Sequence, residues 1–435
     1  MSVIGLTLPF VSTADPDTNA EGGLDPLGLA GLADRLANEI APEVTARMQR
    51  VRFVTAIAAC SAMLIEPADT LGPDGTPAYL AFEWLVVEAL VRRMPSGGAA
   101  AVPGVQLAGR RIREPRRHLN GSSYLNTPKV FGFHGVYKRL ARDLRVVDDR
   151  FRMDQAGDPL LRAWERDADL DGFVEQRGNT RGGRLAAAIK HQVQNATERG
   201  EVQLGHSSRW WPEISAAFGP GEAGQRERRL LRSYLDDEQR PIRTELVRLV
   251  AASAEAEEDE HAMVRRFVET KGTSGELRAR LQAIVAYEAL VRRIADVFML
   301  TRLRSTQAPA TRLKPEAVGG NEHVLTVAKA LPALYVRAAE AMAVLGLDVE
   351  LETQLGSFRD EYEAAQLVEA VLNRHDAVQS RKGKRSWFER DEQGFVVRGI
   401  GFADGAFEPS EEFIHPYRLY ALRRFCADLG PGRHP

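Results

Sequence analysis

Residues 127–153 read TPKVFGFHGVYKRLARDLRVVDDRFRM and contain, in order, the signals of a helix, a strand, a turn and a second strand. Thr127 before Pro128 is a helix start, because threonine caps a first turn and proline fits its first position. Apolar residues then recur at helical spacing as far as Leu144. Since Gly157-Asp158-Pro159 begins another helix, the order of helix, short wing and helix predicts a winged helix-turn-helix-like segment.

Helical periodicity continues on both sides of this segment, and Asp391-Glu392-Gln393-Gly394 between two apolar runs predicts a hairpin. We therefore expect a mainly α, multi-domain helical protein with a winged helix-turn-helix-like segment and a small C-terminal β-hairpin. The expected parts are a flexible lead-in at 1–23, an N-terminal helical domain at 24–105, a basic winged-helix-like domain at 106–172, a central helical domain at 173–310, and a C-terminal helical domain with a basic loop and the hairpin at 311–435.

Composition narrows the class of protein. The chain has 435 residues, of which 44% are hydrophobic, and only two cysteines, Cys60 and Cys426. Two isolated thiols favour a reducing compartment over a disulfide scaffold. The sequence shows neither a convincing signal peptide nor an apolar run long enough to cross a bilayer. We expect a cytoplasmic protein without a membrane partner.

The charges are distributed unevenly. The net charge is −2, yet residues 106–145 hold ten Lys or Arg and two acids, a formal charge of +8. Clustered cations suit a phosphate backbone, since neutralised phosphates release counterions. The predicted contacts here are Arg110, Arg111, Arg113, Arg116, Arg117, Lys129, Lys138, Arg139 and Arg142. In the alternative interpretation, this face pairs with the acidic segment 236–260 of the same chain.

A second basic stretch, RHDAVQSRKGKRSW at 374–387, follows a helix and precedes the hairpin. Lysine and arginine can hold a phosphate backbone while tryptophan stacks on a base. The predicted contacts are Arg374, His375, Arg381, Lys382, Lys384, Arg385 and Trp387. The alternative is a basic loop in which the tryptophan is a buried anchor of the hairpin.

Signals of catalysis are weak, and we predict no catalytic residue, no metal and no cofactor. The run 257–261 is rich in metal-ligand types, but consecutive helical residues point in different directions. Arg199 and His206 have six residues between them, a spacing seen in helical ribonucleases of the HEPN type, although the glycines at 200 and 205 favour a loop. There is no G-x-S-x-G elbow, Walker motif or Rossmann fingerprint.

Two short motifs carry a resemblance. Gly23-Leu24-Asp25-Pro26-Leu27-Gly28-Leu29, followed by Arg47-x-x-Arg50-x-Arg52-Phe53, resembles the opening of uncharacterised helical, winged-helix-containing proteins of bacterial anti-phage and genome-defence gene clusters. The stretch 374–387 gives a similar match. The resemblance covers about a tenth of the chain. It implies a DNA-associated accessory role in a complex with other protein subunits, and it transfers no catalytic residue.

The sequence thus predicts a DNA-associated accessory or adaptor subunit of a bacterial defence or DNA-processing system. Two alternatives stay open. One is a nuclease or nucleotide-acting enzyme that uses residues 374–387, and the other is a purely structural subunit that binds only proteins.

Overall fold

The computed structural model describes residues 25–64, 72, 75–93, 102–112, 117–221, 223–253, 258–308, 311–398 and 407–430. The chain divides into two compact units, whose described residues are 25–40 and 258–417 in unit 1, and 41–253 and 418–430 in unit 2. The predicted class, mainly α with a small C-terminal hairpin, is confirmed. Among the described helices, none is both long and apolar enough to span a bilayer.

Elements are numbered along the chain. Unit 1 contains α1 (Ala30–Ile40), α12 (Glu260–Glu269), α13 (Gly275–Gln307), α14 (Pro315–Gly319), α15 (Glu322–Ala343), α16 (Asp348–Leu355), a 3₁₀ turn (Gly356–Arg359), α17 (Ala364–Arg381), β1 (Phe388–Asp391) and β2 (Gly394–Val397). The long helix α13 is its centre, and α1, α12, α15 and α17 pack against it.

The hairpin of unit 1 pairs β1 with β2 in antiparallel register, with Phe388 opposite Val397 and Asp391 opposite Gly394. Phe388 and Phe395 are buried and meet edge to face. Gly394 has a φ of +132°, and a Cβ there would lie 2.3 Å from the carbonyl oxygen of Leu313. Glycine is therefore required where the hairpin meets the segment before α14.

Unit 2 contains the remaining helices. They are α2 (Arg52–Met63), α3 (Ala78–Arg93), α4 (Val105–Arg111), α5 (Pro128–Phe131), α6 (Phe133–Asp143), α7 (Gly157–Asp167), α8 (Arg181–Arg199), α9 (Trp210–Phe218), α10 (Gln225–Leu235), α11 (Pro241–Ala252) and α18 (Leu419–Leu429). Every residue of α3 from Ala78 to Leu90 is buried. This helix is the centre of unit 2, because α4, α6, α8 and α9 all pack against it.

The two compact units do not follow the predicted domain limits. The limits at 105 and 172 fall inside unit 2, since α6 packs against α2 and α3 while α7 packs against α2 and α10. The limit at 310 falls inside unit 1, where α13 packs against α15 and α17. The predicted lead-in at 1–23 lies outside the described residues.

The predicted wing is much reduced. Between α6 and α7, Val147 and Met153 form one isolated antiparallel bridge. The carboxylate of Asp148 closes the turn by accepting the backbone N–H groups of Arg150 and Arg152. A helix, a turn and a helix are thus present in the predicted order, but a single bridge stands in place of two strands. The winged helix-turn-helix stays a prediction.

Candidate nucleic-acid interface

Helix α6 is amphipathic, and its outer face is basic. Phe133, Val136, Tyr137 and Leu140 are buried. The side of the helix that faces solvent carries cations. Lys138 is half-buried, and Arg139 and Arg142 are exposed. The three cations are at i, i+1 and i+4, so they lie on one side of the helix.

Lys129 joins this face through a close backbone contact. It belongs to the short helix α5, which packs directly on α6. A Cβ at Gly135 would lie 2.5 Å from the carbonyl oxygen of Lys129, so only glycine allows α5 to approach so closely. We call Lys129, Lys138, Arg139 and Arg142 the α6 cation cluster.

The four cations are close enough to interact. Partial burial lowers the pKa of Lys138, and repulsion from Arg139, Arg142 and Lys129 lowers it further. Like charges held together on a folded surface gain from an anion that neutralises them. The α6 cation cluster therefore has the electrostatics of an anion-binding surface.

A buried carboxylate from α3 holds the N-terminus of α6. The Glu83 side chain accepts the backbone N–H of His134 at 2.8 Å and the hydroxyl of Tyr124 at 2.7 Å. Gly132 precedes the helix because a Cβ there would lie 1.9 Å from Glu83 Oε1. Burial raises the pKa of Glu83 to about 7, although these hydrogen bonds act in the opposite direction.

Aromatic packing fixes the rest of α6. Phe133 stacks on Phe53 with ring centroids 5.1 Å apart. The hydroxyl oxygen of Tyr137 accepts the backbone N–H groups of Gln49 and Arg50 at 2.7 and 2.9 Å. The cations are thus mounted on a rigid helix, and their arrangement survives without a ligand to order it.

Nearby acids neutralise little of the cluster. Arg142 pairs with Asp149, whose side chain is 83% exposed. Such an exposed pair contributes on the order of 0–1 kcal/mol, so a phosphate can replace it. The acid at the end of α6, Asp143, is held by Arg240 and Arg243.

The acidic segment 236–260 has partners of its own. Asp236 pairs with Arg248, and Asp237 lies 3.9 Å from Arg243. Glu258 pairs with Arg266 in unit 1. These contacts do not support the alternative in which this segment covers the predicted basic face.

The other predicted contacts of the basic segment lie apart from the helix. Arg110 and Arg111 are exposed in the last turn of α4, and Arg117 is exposed in the following loop. Arg113 and Arg116 lie outside the described residues.

One cation was missed by the sequence reasoning. The exposed Arg47 places its guanidinium 4.2 Å from the ring centroid of Phe131 in α5. Arg47 was noted only as part of the resemblance motif. Because it is 82 positions before Lys129, charge density along the chain could not reveal that it lies beside α5.

Several cations of the second basic stretch are engaged inside unit 1. Arg374 donates to the carbonyl oxygens of Leu27 and Gln354. His375 is fully buried, with Nδ1 on the carbonyl oxygen of Pro26 and Nε2 accepting the Trp387 N–H. Burial lowers the pKa of both groups. These contacts make Arg374 and His375 supports of the backbone at residues 26–28.

The remainder of the stretch is more accessible. Arg381, Lys384 and Arg385 are exposed, whereas the exposed Lys382 donates its ammonium to the carbonyl oxygen of Asp25. Trp387 is half-buried and packs against Phe298, with Arg302 over its ring at 5.0 Å. This tryptophan is thus an anchor of the hairpin with one accessible side.

In the run 257–261, the described residues include three that have structural partners. Asp259 caps α12 by accepting the N–H of Ala262, Glu260 accepts the N–H of Tyr417, and His261 stacks on Phe413. Within the part of the chain that the structure describes, no three His, Cys, Asp or Glu side chains gather so as to hold a metal ion.

No protein-family model, curated protein or solved structure matches the chain.

Proposed function

We propose that this protein binds the phosphate backbone of a nucleic acid through the α6 cation cluster, as a DNA-associated accessory subunit. The observation that supports the proposal most directly is the crowding of three cations around Lys138, whose pKa is lowered by partial burial and further by Arg139, Arg142 and Lys129. An approaching backbone phosphate relieves this repulsion, and its binding releases counterions.

The mounting of the cluster also supports this proposal. A helix anchored by a buried carboxylate and stacked aromatic rings presents its cations without a cost in ordering them. The short connection from α6 to the exposed residues Asp149 and Arg150 places a turn beside the helix, as in proteins that contact adjacent phosphates with a wing.

Salt-dependent binding tests the proposal. We expect the Lys138→Ala, Arg139→Ala, Arg142→Ala triple variant to bind a duplex DNA about tenfold or more weakly at low salt. The slope of log Kd against log salt should fall by roughly 2 to 3, about one for each lost phosphate contact. Fluorescence anisotropy across a salt series measures both quantities, and a duplex RNA of the same sequence shows which nucleic acid is preferred.

The matched control removes the same charge elsewhere on unit 2. Arg166, Arg184 and Arg229 are exposed and lie outside the cluster, so their triple alanine variant should keep most of the affinity. Equal losses of affinity in the two triple variants would show that only the net charge matters. An unchanged slope of log Kd against log salt in the variant of Lys138, Arg139 and Arg142 would refute the proposed surface.

The biological setting is a further proposal. The short motifs resemble proteins of bacterial anti-phage gene clusters, and a binding surface without a motif-defined reaction suits an accessory subunit of such a system. Its protein partners would then be the products of neighbouring genes.

A further inference from the structure

A second group of side chains in unit 2 lies outside the α6 cation cluster, around the C-terminal end of α3. Glu88 is fully buried, and its carboxylate accepts the backbone N–H of Leu119 and the Nδ1–H of His118, both at 2.8 Å. Arg92, one turn later, donates to the same carboxylate at 2.7 Å. Arg92 also lies 3.0 Å from Nδ1 of His206.

Two distant loops are held together to make this group. The N–H of Val202 donates to the carbonyl oxygen of Leu119 at 3.0 Å, beside a β-bridge between Asn120 and Glu201. This pairing brings the loop of His118 beside the loop of His206. Trp211 then fixes the second loop, because its Nε1–H donates to the carbonyl oxygen of Gly205.

The hydrogen bonds assign different roles to the two histidines. A carboxylate only accepts, so Nδ1 of His118 carries a hydrogen. A guanidinium only donates, so Nδ1 of His206 is unprotonated and presents a lone pair. His206 is exposed and the His118 side chain is 19% exposed, so solutes can reach both rings. Nδ1 of His118 is thus held by Glu88, and Nδ1 of His206 faces Arg92, which donates to the same carboxylate.

We propose that His118, His206 and Arg92 form a site that cleaves single-stranded RNA. Nδ1 of His206 takes the proton of a ribose 2′-hydroxyl, and the 2′-oxygen forms a bond to phosphorus. The bond from phosphorus to the 5′-oxygen breaks, and the Nε2–H of a doubly protonated His118 gives its proton to that oxygen. The products are a 2′,3′-cyclic phosphate and a 5′-hydroxyl end.

Arg92 and Glu88 support this step in different ways. As the substrate displaces the contact between Arg92 and His206, the guanidinium turns to the phosphoryl oxygens, where negative charge develops. Glu88 is a positioning residue, because its hydrogen bond orients the His118 ring. After the step, the two histidines exchange protons with water and return to their starting forms.

The surroundings favour a single strand. Arg209 is exposed, and its guanidinium lies 4.6 Å from the ring centroid of the half-buried Trp210. Trp210 precedes Trp211, whose ring stacks on that of His118. A cation over an accessible aromatic ring can hold a phosphate and stack a base. Arg199, which the sequence paired with His206, instead donates to Gln203, so the geometry replaces it with Arg92.

Cleavage of a 5′-labelled RNA by the full-length protein in EDTA tests the inference. We expect cyclic phosphate and 5′-hydroxyl ends, and no cutting of DNA of the same sequence. His118→Asn and His206→Asn should each lower the cleavage rate about 100-fold or more. His191→Asn is the matched control, since His191 is exposed on α8 outside the site.

Two readouts separate chemistry from folding. His206 is exposed, so its variant should keep the circular dichroism spectrum and melting temperature of the unmodified protein. One 2′-deoxyribose in the RNA should abolish cutting at that linkage alone. Intact RNA with the unmodified protein, undiminished cutting by both variants, or equal cutting at the deoxy linkage would each overturn the inference. The proposed duplex binding is not required for any of these outcomes.

Discussion

Glu83 shows how one residue controls the helix that carries the α6 cation cluster. Its carboxylate is fully buried and accepts hydrogen bonds from the first turn of α6 and from Tyr124. Burial disfavours the charged form more than these donors favour it, so the pKa is raised from 4.5 to about 7. The native protein therefore holds a proton here that the unfolded chain has released between pH 4.5 and 7.

The raised pKa of Glu83 determines how its contribution to stability changes with pH. The contribution of Glu83 is fully present below pH 4.5 and is lost as the pH rises through about 7. We expect the unmodified protein to lose on the order of 3 kcal/mol of unfolding free energy relative to Glu83→Gln across this range. Urea unfolding of both proteins at intervals from pH 5 to 8 measures the difference.

Comparing the unmodified protein with Glu83→Gln separates the effect of Glu83 on stability from that of its neighbour His134. His134 is buried between Tyr79 and Phe151, and burial lowers its pKa to about 3, so its own contribution is lost as the pH falls below 6.5. That contribution is common to both proteins and cancels in their difference. Parallel stability curves for the two proteins would contradict the role given to Glu83.

At the scale of elements, the contact between α5 and α6 determines whether Lys129 belongs to the cluster. Gly135→Ala would place a Cβ 2.5 Å from the carbonyl oxygen of Lys129 and 2.8 Å from that of Pro128. We expect the unfolding free energy to fall by about 1–3 kcal/mol and duplex binding to weaken, because α5 must move away. Urea unfolding and anisotropy measure the two effects.

A second helical glycine of unit 2 gives the control for this change. A Cβ at Gly109 in α4 would meet only Val91, at an ordinary 3.8 Å. Gly109→Ala should therefore raise stability by roughly 0.5–1 kcal/mol, as expected for alanine in a helix interior. If Gly135→Ala and Gly109→Ala both raised the stability, that result would contradict the close contact between α5 and α6.

The elements also show what the sequence could predict. The helical periodicity predicted on both sides of residues 127–153 corresponds to helices such as α3, and the turn residues 391–394 join β1 to β2. The wing stays a prediction, because the β-branched residues Val146 and Val147 raise strand propensity, while the structure shows one isolated bridge from Val147 to Met153. The cations of α6 could be grouped from their spacing alone, since a helix places i and i+4 together.

Side chains that meet across the fold could not be predicted in this way. Glu83 and Glu88 are five positions apart on α3 and looked unrelated to any site. One caps α6, while the other orients His118. His118 and His206 are brought together only by the pairing of Leu119 with Val202. Local patterns contain no information about such long-range contacts.

For the whole molecule, the main feature is that neither unit is a continuous piece of chain. The main part of unit 2 begins at Ala41, its described residues reach 253, and α18 adds to it from the far end of the chain. Asp428 in α18 accepts the N–H of Val51 at 3.0 Å and pairs with Arg50 at 2.9 Å. The last described helix therefore holds the start of α2.

The contacts of Asp428 predict that its substitution in α18 destabilises the start of α2. Asp428→Ala leaves the buried N–H of Val51 without its acceptor, so we expect a loss of about 1–3 kcal/mol. Hydrogen exchange should show the added opening in α2 as well as in α18. Glu198→Ala, an exposed acid on α8, should change stability by less than about 0.5 kcal/mol. Unchanged hydrogen exchange in α2 would contradict the role given to Asp428.

Because each unit is built from separate parts of the chain, its folding during synthesis is delayed. Ile40 at the end of α1 and Gly275 at the start of α13 are 235 positions apart. At ribosomal rates, α1 waits roughly 10–50 s for the helix on which Leu32 and Leu36 are buried. During that time its apolar face is a binding site for chaperones and for other nascent chains. The yield of folded protein should therefore depend on chaperone supply and on the speed of translation.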